Sequence, residues 1–401
     1  MSDRQGRRPA ATGRFAQQTE QVRAVADKYA EQSDAAAEFP VAVLQELRSG
    51  GLLGLLVPTE YGGLGGTLDD LLDVSISLGR TDLSAALILA MHCQQVACVV
   101  DHAEAPLARE VLPEIAAGRM YLASVTTEPG KGGHLLTAGA RLEATDVEPG
   151  LLGLDRFAPI VTGGAHADGF LISMGAPDAR SPGEVSLVFA RRSQLEITAS
   201  GDWDPLGMRA SHSLALRLTG LIPEHQVIGE HGAFRAVVLR TLGPLAHLGW
   251  AACWLGTAAG ALSRVLRTLR ESAKGKEGAL ESELLLTRLS RARQRLDTVH
   301  ALLRHTADVY TAASQGGGDV SLPRNQLLIN ALKITASEEC LRAVEDLIDA
   351  VGLRHGYLKG SPTRLEKALR DLRSAPLNYH NDRLHRADGV LALLDHGVSF
   401  A

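Results

Sequence analysis

The stretch GLLGLLVPTEYGGLGG at residues 51–66 sets the frame for the whole chain. Just before and into it, Val41, Leu44, Leu47 and Leu52 recur at helical spacing. The pairs Gly50–Gly51 and Gly62–Gly63 punctuate it as turns and helix ends. Downstream, residues 85–100 are apolar on nearly every side, which predicts an interior helix. The stretch is therefore a turn-rich connector inside a helical N-terminal part.

The pattern changes near Met120. Short segments rich in Val, Ile, Thr and Phe follow, split by Gly, Pro and Asp. Residues 121–127, 170–174, 185–190 and 214–218 are predicted strands. Helical periodicity returns at Phe234. A nearly all-apolar helix is expected over 239–269, where Gly243, Gly249, Gly256 and Gly260 would let neighbouring helices approach closely. An amphipathic helix over 280–313 carries Arg288, Arg291, Arg293 and Arg295 on its wetter faces. A loop at 316–319 and a third long helix over 327–351 follow, then two shorter ones. The order predicts an α+β chain of three packed parts: an N-terminal helical domain (15–118), a middle β-rich domain (119–229) and a C-terminal helical bundle (230–401). Residues 1–14 read as a disordered arm.

Composition narrows the function classes. The 401 residues are 45% apolar and 22% charged, enough for a large core. A net charge of −5 and 4% aromatic residues give no case for nucleic acid. Cys93, Cys98, Cys253 and Cys340 form no CxxC pair and are expected as buried thiols of a reducing compartment. No leader-like core and no uninterrupted apolar run of spanning length is seen, so no membrane partner and a cytoplasmic location are expected. The fourteen histidines show no metal-ligand spacing, and no metal is predicted.

Five phrases in order resemble the acyl-CoA dehydrogenase family over about residues 20–398. They are LLVPTEYGG at 55–63, TEPG at 127–130, LGMRAS at 206–211, LIPEHQVIG at 221–229, and Arg370–Asp371. The resemblance implies the fold of that family. It also implies FAD, an acyl thioester substrate carried on CoA or an acyl carrier protein, and a homodimer or homotetramer packed through the bundle. In such chemistry a base removes the α-proton of a polarised thioester while flavin takes the β-hydride.

Several residues depart from the family pattern. The base is a glutamate on the loop after Arg–Asp; counting without a gap puts Tyr379 there, with His380 next. A second family location, early on the first bundle helix, offers His247 and no carboxylate. A tyrosine near its usual pKa of about 10 is a poor base, and a histidine near 6.5 a better one. The expected catalytic set is therefore His380 or His247 as base, with Tyr379 as hydrogen-bond donor. For the cofactor, the expected contacts are Thr126, Thr127, Gly132, Gly133, Val161, Thr162, Arg270, Asp349, Gly352 and Asn381. A serine of the family turn is replaced by Gly133, its aspartate by His134, and its aromatic flavin wall by the Pro159–Val161 segment.

The leading expectation is a flavin-dependent oxidoreductase acting on an acyl thioester, in the manner of enzymes of secondary metabolism. Two alternatives stand beside it. One is a hydroxylase of the same fold using reduced flavin and oxygen. The other is a flavin-free isomerase, lyase or non-catalytic subunit.

Overall fold

The computed structural model describes residues 13–130, 134–145, 149–275, 280–395 and 397. The first part holds five helices: α1 (Ala16–Ala36), α2 (Val41–Ser49), α3 (Leu68–Gly79), α4 (Leu83–His102) and α5 (Ala105–Ala116). The 51–66 stretch folds back on itself between α2 and α3. The Leu64, Gly65 and Gly66 amides donate to the Gly54, Val57 and Leu55 carbonyls at 3.0, 2.9 and 2.8 Å. Leu52, Leu53, Leu55 and Val57 are fully buried by this turn. A side chain at Gly63 would meet the Val57 carbonyl oxygen at 2.2 Å, so only glycine fits there. Thr67 and Asp70 close a capping box on α3, and Arg14, the last residue of the expected arm, pairs with Asp70 at 3.1 Å. The rest of that arm, residues 1–12, lies outside the described residues.

The middle part is two four-stranded sheets. One has the order β1 (Leu122–Val125), β4 (Gly169–Gly175), β5 (Val185–Arg191), β8 (Val227–Ile228). The other runs β2 (Glu143–Ala144), β3 (Leu151–Val161), β7 (Leu214–Pro223), β6 (Leu195–Ser200). β4 is buried along its whole length, so it reads as a continuous apolar run. Strand β3 was not among the predicted strands. It alternates inward and outward, but its inward position 156 is an arginine, and Pro159 interrupts its end. The β3–β7 register shifts between Ala158 and Val161, so Pro159 and Ile160 sit in a bulge, where a missing amide does no harm to the ladder.

The last part contains α6 (Phe234–Val237), α7 (Gly243–Ser272), α8 (Glu283–Gln315), α9 (Pro323–Gly352), α10 (Leu365–Leu372) and α11 (Asn381–Ala392). A π turn over Val238–Leu242 precedes α7, where the sequence predicts regular helix. Pro244 is the reason: it has no amide to donate back to the Arg240 carbonyl. The Tyr310 hydroxyl donates to that carbonyl instead, at 3.1 Å. Two of the four α7 glycines perform the expected close packing. A side chain at Gly256 or Gly260 would meet the Ile76 or Arg80 carbonyl oxygen at 2.3 Å. The Leu83–His102 and Phe234–Ser272 helices are long and apolar enough to cross a membrane, yet 89% and 72% of their most apolar windows are buried in the fold. All four cysteines are buried free thiols.

Candidate active site

The Arg370–Asp371 phrase is a joint between all three parts. The Asp371 carboxylate accepts from the Met208 amide at 2.7 Å and from the Lys367 ammonium at 2.7 Å. Lys367 also meets Asp82, the cap of α4, at 3.0 Å. Burial works against the Lys367 charge, but Asp371 and Asp82 outweigh it and hold its pKa above the usual range. Arg370 reaches Asp34 on α1 at 2.7 Å and the Leu206 carbonyl at 3.1 Å. A side chain at Gly207 would meet the Arg370 carbonyl oxygen at 2.1 Å. Two phrases more than 150 residues apart thus lock together, and the chain leaving Asp371 is aimed by this lock.

That chain turns through residues 373–380. Tyr379 sits at φ 46°, a left-handed conformation costly for a residue with a side chain. Its carbonyl accepts from Lys333 on α9 at 3.3 Å. Lys333 is fully buried, donates to the Asn381 side-chain oxygen at 2.7 Å, and lies 5.8 Å from the centre of the Trp254 ring. Burial pushes Lys333 down to about 7, against the pull of Glu338. Tyr379 is 37% exposed, and its ring lies 6.2 Å from that of His247 on α7. Trp250 lies 6.0 Å beyond His247, and Trp254 6.2 Å beyond Trp250. Burial, helped by the Lys333 charge, lowers His247 to about 3, so the ring is neutral at ordinary pH. His247 Nδ1 and Trp254 Nε1 are buried and meet no hydrogen-bond partner among the described residues. Buried polar atoms of this kind are normally satisfied, which sets this wall apart from the joint.

The nearest carboxylate on this network is Glu338. It accepts from Asn381 Nδ2 and from Arg342, each at 3.2 Å, and its remaining surface faces outward on α9. The Tyr379 turn itself brings no carboxylate to His247. Burial raises the Tyr379 phenol further above its usual range.

On the middle domain, Thr127 caps the bulge. Its hydroxyl donates to the Ile160 carbonyl at 2.9 Å. Ile160 and Phe157 stay exposed at 52% and 40%. The turn is fixed by Arg156, which is wholly buried, pairs with Glu128 and donates to the Thr127 carbonyl at 3.0 Å. Glu128 also accepts from the Gly139 and Ala140 amides at 2.9 and 2.8 Å. Arg156 was missed at the sequence level. The available signal was a charge at an inward position of an alternating run.

The other expected residues are placed as follows. Tyr379 and His247 come together. His380 does not join them: half-exposed, it caps α11, its Nδ1 accepting the Asp382 amide at 3.3 Å. Thr126 follows β1 and is half-buried; Val161 is fully buried in the core. Thr162 hydrogen-bonds Ser213 at 3.0 Å. Arg270 is exposed in the last turn of α7. Asp349 is exposed and its carbonyl accepts from Arg288 at 2.6 Å. Gly352 ends α9 at φ 66°. Asn381 is buried, and both ends of its amide are taken by Lys333, Ser337 and Glu338. Gly132 and Gly133 lie outside the described residues.

Comparison with known proteins agrees with this architecture. Residues 16–119 match the family description "Acyl-CoA dehydrogenase, N-terminal domain", and residues 248–381 match "Acyl-CoA dehydrogenase, C-terminal domain". The chain is 22% identical to an acyl-CoA dehydrogenase of Bacillus subtilis (strain 168), over 87% of this chain and 88% of that protein. It is 24% identical to a dibenzothiophene monooxygenase of Rhodococcus erythropolis, over 83% of each. The fold is shared with the FMN-bound dibenzothiophene monooxygenase TdsC of Paenibacillus sp. A11-2, at a TM-score of 0.85 and 20% identity over 96% of this chain and 98% of that one. The chain belongs to the acyl-CoA dehydrogenase family.

Proposed function

We propose that this protein is a flavin-dependent monooxygenase built on the acyl-CoA dehydrogenase fold, acting on a small, largely apolar aromatic or heteroaromatic substrate. The observation that carries it is the chemistry of the Tyr379–His247 wall. Removing an α-proton from a thioester requires a base whose conjugate acid has a pKa near the working pH. His247, held near 3, is far too weak. Tyr379 is raised and therefore protonated. Lys333 has its ammonium committed to Asn381 and the Tyr379 carbonyl. Oxygen insertion needs no such base. One oxygen atom of O2 enters the substrate and the other leaves as water, with two electrons from an external donor and two protons.

The residues fit a flat heteroaromatic group. Exposed Phe157 and Ile160 and the half-exposed Tyr379, backed by the His247 ring, suit the faces and edges of a flavin or an aromatic substrate. Thr126, the Ile160 bulge and the Tyr379 turn would hold the flavin, which supplies two-electron chemistry toward oxygen. The Lys333 charge disfavours a cationic substrate and supports an anionic or neutral one. Kinship with a dibenzothiophene monooxygenase supports this function, while kinship with an acyl-CoA dehydrogenase supports the competing thioester substrate on CoA or a carrier protein.

The test is direct. Protein loaded with FMN or FAD, reduced chemically and mixed with aerated buffer containing indole, is expected to yield oxygenated indole. Oxygen converted wholly to hydrogen peroxide, with indole and with larger sulfur heterocycles alike, would contradict the proposal.

A further inference from the structure

A cavity lined by none of the Tyr379-wall residues lies elsewhere in the fold. It opens between α1, α3, α7 and α8 and holds about 520 Å3. Its origin is mechanical. α3 lies backbone to backbone on α7 through Gly256 and Gly260. Arg304 on α8 ties to Asp73 and Asp69 on α3, leaving a cleft beneath the tie. The floor is apolar, with Ile76, Leu255, Ala259, Leu262, Leu266 and Leu296.

The charges around it are unevenly paired. Arg23 pairs with Glu20 at 2.6 Å, Arg293 with Asp297 at 2.7 Å, and Arg304 with its two aspartates. Arg80 has no carboxylate within ion-pair distance among the described residues; it reaches only the Ser263 hydroxyl, at 3.4 Å. Burial and the neighbouring Arg23 both depress the pKa of Arg80, the mark of a cation short of counter-charge. Ser77 and Ser263 flank it on the cavity wall.

We propose that this cleft binds an amphipathic monocarboxylate, its head group on the Arg80 guanidinium and its apolar body along Leu255, Ala259 and Leu262. A guanidinium accepts a carboxylate in a two-point fork, and Arg80 is the guanidinium of this wall that no ion pair engages among the described residues. The cavity volume suits a chain of medium length. This site is independent of the monooxygenase chemistry.

The experiment is a calorimetric titration of the full-length protein with decanoate below its micelle concentration, with 1-decanol and decyltrimethylammonium as controls. Saturable one-to-one binding of decanoate alone is expected. Arg80→Gln should weaken it at least tenfold, Ala259→Trp should weaken it similarly by filling the floor, and Arg80→Lys should give an intermediate loss. Trp250→Ala should leave it unchanged. No saturable binding at millimolar decanoate would overturn the proposal. So would equal affinity in Arg80→Gln, or loss confined to Trp250→Ala, which would place the fatty acid at the aromatic wall. Thermal melts of each variant confirm folding, and Arg80→Lys keeps the test decisive should the glutamine variant not fold.

Discussion

The joint at Arg370–Asp371 and the wall at Tyr379–His247 follow opposite rules, although Tyr379 comes only eight positions after Asp371. At the joint each buried charge has a partner: Lys367 with Asp371 and Asp82, Arg370 with Asp34 and Glu366. At the wall two buried polar atoms have none, a lysine is buried on neutral partners, and a tyrosine is held at positive φ. Saturated networks hold architecture. Unsaturated ones are tolerated where a ligand completes them. The family's frame survives in the first region, and the proposed change of chemistry lies in the second.

The contrast can be broken most forcefully at the joint. Asp371→Asn leaves Lys367 without its closest counter-charge, and removing one partner of a buried pair costs about 3–5 kcal/mol. Urea unfolding should show that loss; a change under about 1 kcal/mol would mean the joint is not holding the parts together.

Acid should act next, through the neutral histidines. Burial lowers His247 to about 3 and His92 to about 4, both below the unfolded value. The unfolded chain therefore takes up protons first as pH falls through 6.5. Each histidine then removes up to about 1.4 kcal/mol per pH unit, until its folded pKa is reached. The midpoint of thermal unfolding should drop between pH 6.5 and 4, and His247→Phe should flatten part of that slope.

Lys333 acts with the same sign in a higher window. Its folded pKa of about 7 lies below its unfolded one, so its contribution to stability rises with pH between about 7 and 10. Lys333→Met should abolish that rise while removing the Lys333 donor from the Tyr379 carbonyl and the Asn381 side-chain oxygen. An unchanged pH profile would show that the ammonium is not buried as described. The smallest effect belongs to His380→Ala, which removes an exposed cap of α11 worth about 1 kcal/mol and should leave flavin binding intact.

Much of the fold was legible in the sequence because periodicity and glycine punctuation survive without chemistry. The interior helix α4, the three long bundle helices and four of the strands follow from apolar spacing. β3 escaped because Arg156 occupies an inward position, and only the fold reveals Glu128 as its partner. The π turn before α7 depended on Pro244, with Tyr310 reaching the Arg240 carbonyl that Pro244 leaves open, a contact across 70 positions that no local pattern announces. For the site, Tyr379 and His247 could be named from the family's loop and helix. The role of Lys333 could not, because a lysine in a helix normally reads as solvated. His380 looked like a base by residue type, and only its place at the start of α11 shows it turned to its own backbone.

The central claim is that the Tyr379 wall supports oxygen chemistry and no longer supports thioester desaturation. The most direct measurement is the visible spectrum of the oxidised, flavin-loaded protein mixed without oxygen with a panel of acyl-CoA and carrier-bound acyl thioesters. The account predicts that the flavin band near 450 nm persists, and that Tyr379→Glu makes it bleach with at least one thioester. Bleaching in the unaltered protein would contradict the account outright.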